Sequence, residues 1–181
     1  MRKTLAVILL IIAATSSYAL TQTLGAGFKN VQPVPGSIEA AAVKEARPAV
    51  QTKEVKVYLV ALDDAGKRGR KIGCGDSLVA VTRTIKPTAS TLKAAMEELV
   101  ATSGDDDKKL GNYVLGPDLK VKSVSISRGT ATIRFSGHIS VAGICDEPRI
   151  VEQIMATAKQ FPNVKRVKVF VGKETLEDAI R

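Results

Sequence analysis

Tryptophan is absent from this 181-residue chain, and phenylalanine and tyrosine together number seven. Any core must therefore be aliphatic, and no set of aromatics suggests a platform for stacking single-stranded bases. There is one histidine and there are two cysteines, short of the four ligands a structural zinc site takes. No C-x-x-C pair is present to suggest a redox dithiol. Serine is common, but the G-x-S-x-G elbow of a hydrolase is missing. Acidic residues are the minority, 18 against 27 basic, for a formal charge of +9. That balance points to anionic partners such as nucleic acid, a membrane surface or an acidic wall polymer. Hydrophobic residues make up 45% of the chain, enough for the core of one domain with a tail but not for two full domains.

The chain opens with Met1-Arg2-Lys3, then the apolar run Thr4 to Ala14, then the small residues Thr15 to Ala19. A positive stub, a short apolar stretch and Ser17 and Ala19 at a cleavage spacing form a secretory signal. The apolar run is much shorter than the roughly 20 residues a spanning helix needs. Residues 1–19 are thus expected to direct export to the periplasm, cell wall or extracellular space. Membrane contact is then transient and through this segment only, an uncleaved anchor being the second reading. No cysteine lies near the cleavage region, which argues against lipid attachment there. Without Arg2 and Lys3 the mature chain keeps 25 basic and 18 acidic residues. Export also removes the usual nucleic-acid targets of a basic protein. Residues 20–53, with Pro33, Pro35 and Pro48 scattered through them, read as an extended linker.

From residue 54 to 181 the pattern is that of one α+β domain. Val55, Val57, Leu59 and Ala61 alternate as in a strand, with Val60 and Leu62 adding apolar character to the other face. Leu78 to Ile85 is a second strand, stopped by Pro87. Leu92, Ala95, Met96, Leu99 and Val100 form the apolar stripe of a helix that Thr88 or Ser90 can cap. Val121, Val124 and Ile126 form a strand whose change of phase predicts a bulge at Lys122-Ser123. Arg128-Gly129 is a hairpin turn, and Ala131, Ile133 and Phe135 return along the next strand. Asp146 is placed to cap a helix carrying Ile150, Val151, Ile154, Met155, Ala158 and Phe161. Val167, Val169 and Val171 complete the order β-β-α-β-β-α-β, with a short helical tail at Leu176 to Ile180. The expected packing is two helices on one face of a mixed sheet of four or five strands.

Several residues invite chemistry. Cys74 and Cys145, an even pair in an exported chain, are expected to form a disulfide. His138 follows Ser136-Gly137, with Asp146 and Glu147 nearby in sequence, but a surface-loop histidine is the better reading. Asp105-Asp106-Asp107 lacks the alternating ligands and fixed glycine of a calcium loop, so it reads as solvated. The long connection Ser103 to Asp118 favours a binding or docking role. No catalytic centre, metal site or cofactor is expected. Alternation turns Lys120, Lys122, Arg134, Arg166, Lys168 and Phe170 away from the helices and makes them a candidate basic binding face.

Ile72 to Val79 (IGCGDSLV), Val81-Thr82-Arg83 and the helix opening Leu92-Lys93-Ala94-Ala95 form an ordered set of motifs. They continue in Val124-Ser125-Ile126, Gly129-Thr130-Ala131, Phe135-Ser136-Gly137, Gly143 to Asp146 with Pro148-Arg149, and Gln160 to Val164. Together they resemble the GerMN domain of sporulation and spore-germination proteins, from Val55 to Ile180. The resemblance implies an exported module of scaffold type, with no catalytic residues to carry over. It departs from the lipid-anchored and tandem forms, since this chain has no lipobox cysteine and room for one copy. The function expected is a non-catalytic envelope module that binds an envelope protein or an anionic cell-wall polymer. A cell-wall enzyme with an unrecognised site is the alternative.

Overall fold

The structure, a computed structural model, describes residues 51–181. The expected signal segment and almost all of the linker lie outside the described residues. Strand β1 (Lys53–Ala61) places Val55, Val57, Leu59 and Ala61 on one buried face, as the alternation predicts. Val60 is buried on the other. Beside it in antiparallel register runs β3 (Ser77–Ile85), from Lys53 opposite Ile85 to Ala61 opposite Ser77. Three two-residue strands, β2 (Arg70–Lys71), β4 (Gly104–Asp105) and β5 (Leu110–Gly111), complete a first sheet of order β2-β3-β1-β5-β4.

Helix α1 (Thr91–Ala101) buries Leu92, Ala95, Met96 and Leu99, the predicted stripe. The chain then enters a second sheet through β6 (Lys120–Ser127) and β7 (Thr130–Ser136). Their hairpin turns at Arg128 and Gly129, both at positive φ (48° and 74°), the sign a two-residue I′ turn demands at its two central positions. Helix α2 (Asp146–Lys159) crosses back, and β8 (Arg166–Val171) lies parallel to β7. The connection through a helix is the one that parallel neighbours require. A short β9 (Glu174–Thr175) and the turn of helix α3 (Leu176–Ala179) close the order β6-β7-β8-β9.

The α+β class, the order of the main elements and the disulfide are as the sequence predicts, but the strands divide between two sheets. The reason lies at the free edge of β1. Lys56 N donates to Gln160 Oε1 (2.8 Å), and Gln160 Nε2 donates back to Lys56 O (2.6 Å). Tyr58 N donates to Thr157 Oγ1 (3.2 Å), and Gln153 Nε2 donates to Tyr58 O (2.8 Å). Val60, next in the same phase, pairs with Gly111 of β5. Gln153 and Thr157 of α2 and Gln160 at its C-terminal cap share one side at helical spacing. They occupy the edge to which another strand would otherwise add.

Each long helix packs against elements of both sheets, and the helices pack on each other. One core therefore runs from Val57, Leu59 and Val81 through Met96, Leu99, Ile150 and Ile154 to Ala131, Ile133, Phe135 and Val169. Burying an aliphatic side chain of this size contributes about 1.5–3 kcal/mol. Phe135, 1% exposed, is the largest side chain in that core. One local expectation changes. Asp146 is the first helical residue of α2, and its carboxylate reaches back to Ala142 N (2.8 Å) and Gly143 N (3.2 Å) instead of capping the helix. The connection from Ser103 to Asp118 is partly woven into the fold, while Asp106 to Lys109 stay exposed. Leu110, Asn112 and Val114 are buried, and Asn112 Nδ2 donates to Leu99 O and Thr102 O, holding the end of α1.

Candidate functional site: the outer face of the second sheet

The register of the second sheet fixes which side chains share its outer face. Thr130 stands opposite Ser127 on one side and Arg166 on the other; Thr132 stands between Ser125 and Lys168. Arg134 stands between Ser123 and Phe170, and Ser136 opposite Lys120. Directly paired residues point to the same face, so these side chains turn away from the core that holds Ala131, Ile133 and Phe135. Lys120, Arg134, Arg166 and Lys168 are exposed. The pairing slips between Val121 and Ser123, so Lys122 is the extra residue of the predicted bulge. There it shares Arg134's row with Ser123 and is exposed. The structure thus brings together all six predicted residues.

Two local interactions order the face. The Arg134 guanidinium lies 4.4 Å from the centroid of the Phe170 ring, within cation–π range. Arg166 Nε donates to Thr130 Oγ1 (3.2 Å). Among the described residues, no acidic residue stands in the paired positions of this face. None of Lys120, Lys122, Arg134, Arg166 and Lys168 forms an ion pair with a described residue. At its far edge, Glu177 lines a hollow with Lys168 and Phe170.

The charges near the disulfide are arranged differently. Cys74 and Cys145 are bonded, with Cα atoms 5.9 Å apart, joining the turn before β3 to the start of α2. Beside them Arg149 bridges two carboxylates: Nε donates to Asp76 Oδ2 (2.6 Å) and Nη1 to Asp146 Oδ1 (3.1 Å). Asp76, wholly buried, also accepts from Asp63 N (3.0 Å). Arg149 stacks 4.6 Å from the Tyr113 ring centroid. Burial works against the Arg149 charge, but the bonds and charges of Asp76, Tyr113 and Asp146 outweigh it and raise its pKa. Burial also raises the Tyr113 pKa. Every charge in this cluster has an internal partner, so its chemistry is that of a clasp. Sequence reasoning missed Asp76 and Arg149. The signal was available, since Asp76 lies two residues after one cysteine and Arg149 four after the other.

The remaining sequence candidates stay apart. His138 is exposed in the loop after β7, while Asp146 is engaged by Arg149 and by two loop amides. Asp105 accepts from Lys108 N (3.2 Å) and pairs with Lys108 Nζ (3.2 Å). Burial opposes its ionisation, yet these bonds hold its carboxyl below the usual range.

A family model described as sporulation and spore germination (Germane) matches residues 56–177. Among solved structures, the first GerMN domain of the sporulation protein GerM from Bacillus subtilis is similar. It is 25% identical with a TM-score of 0.51, over 69% of this chain and 86% of that one. The tandem GerMN domains of the same protein are 27% identical with a TM-score of 0.51, over 70% of this chain and 41% of that one. No curated protein matches the chain. The family match extends over well more than half of the sequence, and the chain belongs to the Germane family of sporulation and spore germination domains.

Proposed function

We propose that this member of the Germane family is a non-catalytic module of an exported envelope protein, serving a sporulation-type assembly and docking through the basic face of its second sheet. One observation carries the reading: Lys120, Lys122, Arg134, Arg166 and Lys168 share a face with no described acid among its paired positions and no ion pair to a described residue. Side chains placed this way keep their charge available for an anionic envelope component. The setting is supported by the signal pattern of residues 1–19 and by a disulfide, which persists in oxidising compartments. The GerMN neighbours, named as domains of a sporulation protein, support the assembly. The non-catalytic reading draws on Asp146, whose carboxylate is taken up by the clasp and so is unavailable to His138 as a partner.

The test is binding of the full chain to isolated cell envelopes across a salt series. Binding through exposed charges weakens as salt shortens the screening length to about 10 Å at 0.1 M. The double substitution Arg134→Glu and Lys168→Glu removes two central cations from outside the core. A folded double variant that sediments with envelopes as the parent does would show this face to be solvated surface only.

A further inference from the structure

We infer that the ligand of the basic face is a linear polyol-phosphate chain, bound along a diagonal stripe of cations at regular spacing. The inference rests on the docking reading above and names its occupant.

The register supplies the spacing. Arg166 and Lys168 are two residues apart on β8, a step of about 6.7 Å along a strand. Lys168 stands opposite Thr132, so Arg134, two residues further on β7, is its diagonal neighbour. Arg134 stands opposite Ser123, and Lys120 opposite Ser136, so Lys120 is in turn diagonal to Arg134. Diagonal neighbours lie roughly 7–8 Å apart. The four cations Arg166, Lys168, Arg134 and Lys120 therefore advance across three strands in three steps of nearly equal length. Lys122, beside Ser123 at the bulge, doubles the charge at the Lys120 end. One negative charge per step fits such a stripe. Phosphates joined through a three-carbon polyol recur at about 7 Å by ordinary bond lengths.

The chemistry beside the stripe separates this polymer from an acidic polypeptide, whose side chains recur at a similar interval. An extended peptide binds a sheet by adding along an edge, where backbone groups are free. This stripe crosses the ladder obliquely, where the backbone of β7 is already bonded to both neighbours. The flanking side chains are hydroxyls: Ser123, Ser125, Ser127, Thr130, Thr132 and Ser136. A hydroxyl both donates and accepts, so it can meet phosphate oxygens and polyol hydroxyls alike. The one aromatic on the face, Phe170, is half-buried under Arg134.

The experiment titrates the full chain with synthetic glycerol-phosphate oligomers of one, two, four and eight repeats at low and moderate salt. Poly-glutamate of matched charge is the comparison. Affinity is expected to climb by about tenfold or more from one repeat to four, then to level off apart from statistical gain. Alanine at Arg134, Lys168 or Lys120 should each weaken the four-repeat oligomer about threefold, in keeping with single exposed charges. No rise with length, or poly-glutamate binding as tightly as the oligomer, would overturn the assignment. Outcomes for this inference and for the docking reading separate cleanly. If envelope binding is lost in the Arg134→Glu, Lys168→Glu variant while no oligomer binds the parent, the face docks but its ligand is not a polyol phosphate. If envelope binding survives that double substitution, the docking reading itself fails.

Discussion

The two sheets of this domain carry their polar groups to opposite ends. Around the first sheet a set of buried and half-buried polar groups is consumed by the chain itself, although Lys56, Lys71 and Arg83 on its strands form no ion pair with a described residue. Gln153, Thr157 and Gln160 close the edge of β1, and Arg149 holds Asp76 and Asp146 together beside the disulfide. Arg70 pairs with Glu152 of α2. On the second sheet five basic side chains stand on one face with no described carboxylate to meet them. Internally satisfied polar groups fix a fold, since any one left orphaned inside costs the full price of its desolvation. Unpaired surface charges add little to stability and remain available for something outside. Substitutions in the first set should therefore unfold the protein without touching its binding chemistry, and substitutions in the second should do the reverse.

The largest effect on the first set is expected at the disulfide. Replacing Cys74 and Cys145 by alanine opens a link across a sequence separation of 71, for which chain entropy gives a loss of roughly 4 kcal/mol. Urea unfolding of the double variant checks this, and binding at temperatures where it stays folded should be unchanged. Asp76→Ala comes next. It strips a buried partner from Arg149 and an acceptor from Asp63 N, with a loss of about 3 kcal/mol, the lower end for breaking a buried pair because Arg149 keeps some exposure. Gln153→Ala should cost about 2 kcal/mol. Tyr58 O and Tyr113 N lose their partner together, and amide exchange at Tyr113 should quicken while the second sheet stays protected.

The smallest effect on this side concerns pH. The Ser77 hydroxyl hydrogen-bonds the Asp64 carboxylate, and with the Gly66 and Arg68 amides it outweighs burial and lowers the Asp64 pKa. A lowered carboxyl pKa in the folded state contributes stability that is present above the unfolded pKa of about 4 and lost as pH falls through the folded value. Ser77→Ala should therefore flatten the acid limb of the stability curve below about pH 4. An unchanged acid limb would mean that the bond does not hold in solution.

Much of this was legible in the sequence. The bulge at Lys122 showed in the change of phase between Val121 and Val124, and the hairpin in Arg128-Gly129. The basic face followed from alternation alone, because a period of two sends neighbours to opposite sides whichever sheet the strand joins. What alternation does not report is which strands become neighbours. The division into two sheets depends on Gln153 and Thr157, whose polar side chains look like a solvent-facing stripe of α2 but are wholly buried against the β1 backbone. Their meaning is set by a partner about 95 residues earlier in the chain, which local pattern cannot reveal. The length of the 103–118 connection likewise gave no sign that Asn112 holds the end of α1, which shows only once the fold brings them together.

The central proposal is that binding depends on position on the second sheet and not on net charge. Two double variants of equal charge test it directly: Arg134→Glu with Lys168→Glu on the face, and Lys67→Glu with Lys86→Glu, both exposed and off the face. Each should stay within about 0.5 kcal/mol of the parent in stability, as exposed substitutions usually do. Envelope binding of the three proteins is then compared at one low salt concentration. The account predicts that the face variant loses binding and the control variant keeps most of it. Equal loss in both, or full retention in both, would contradict it.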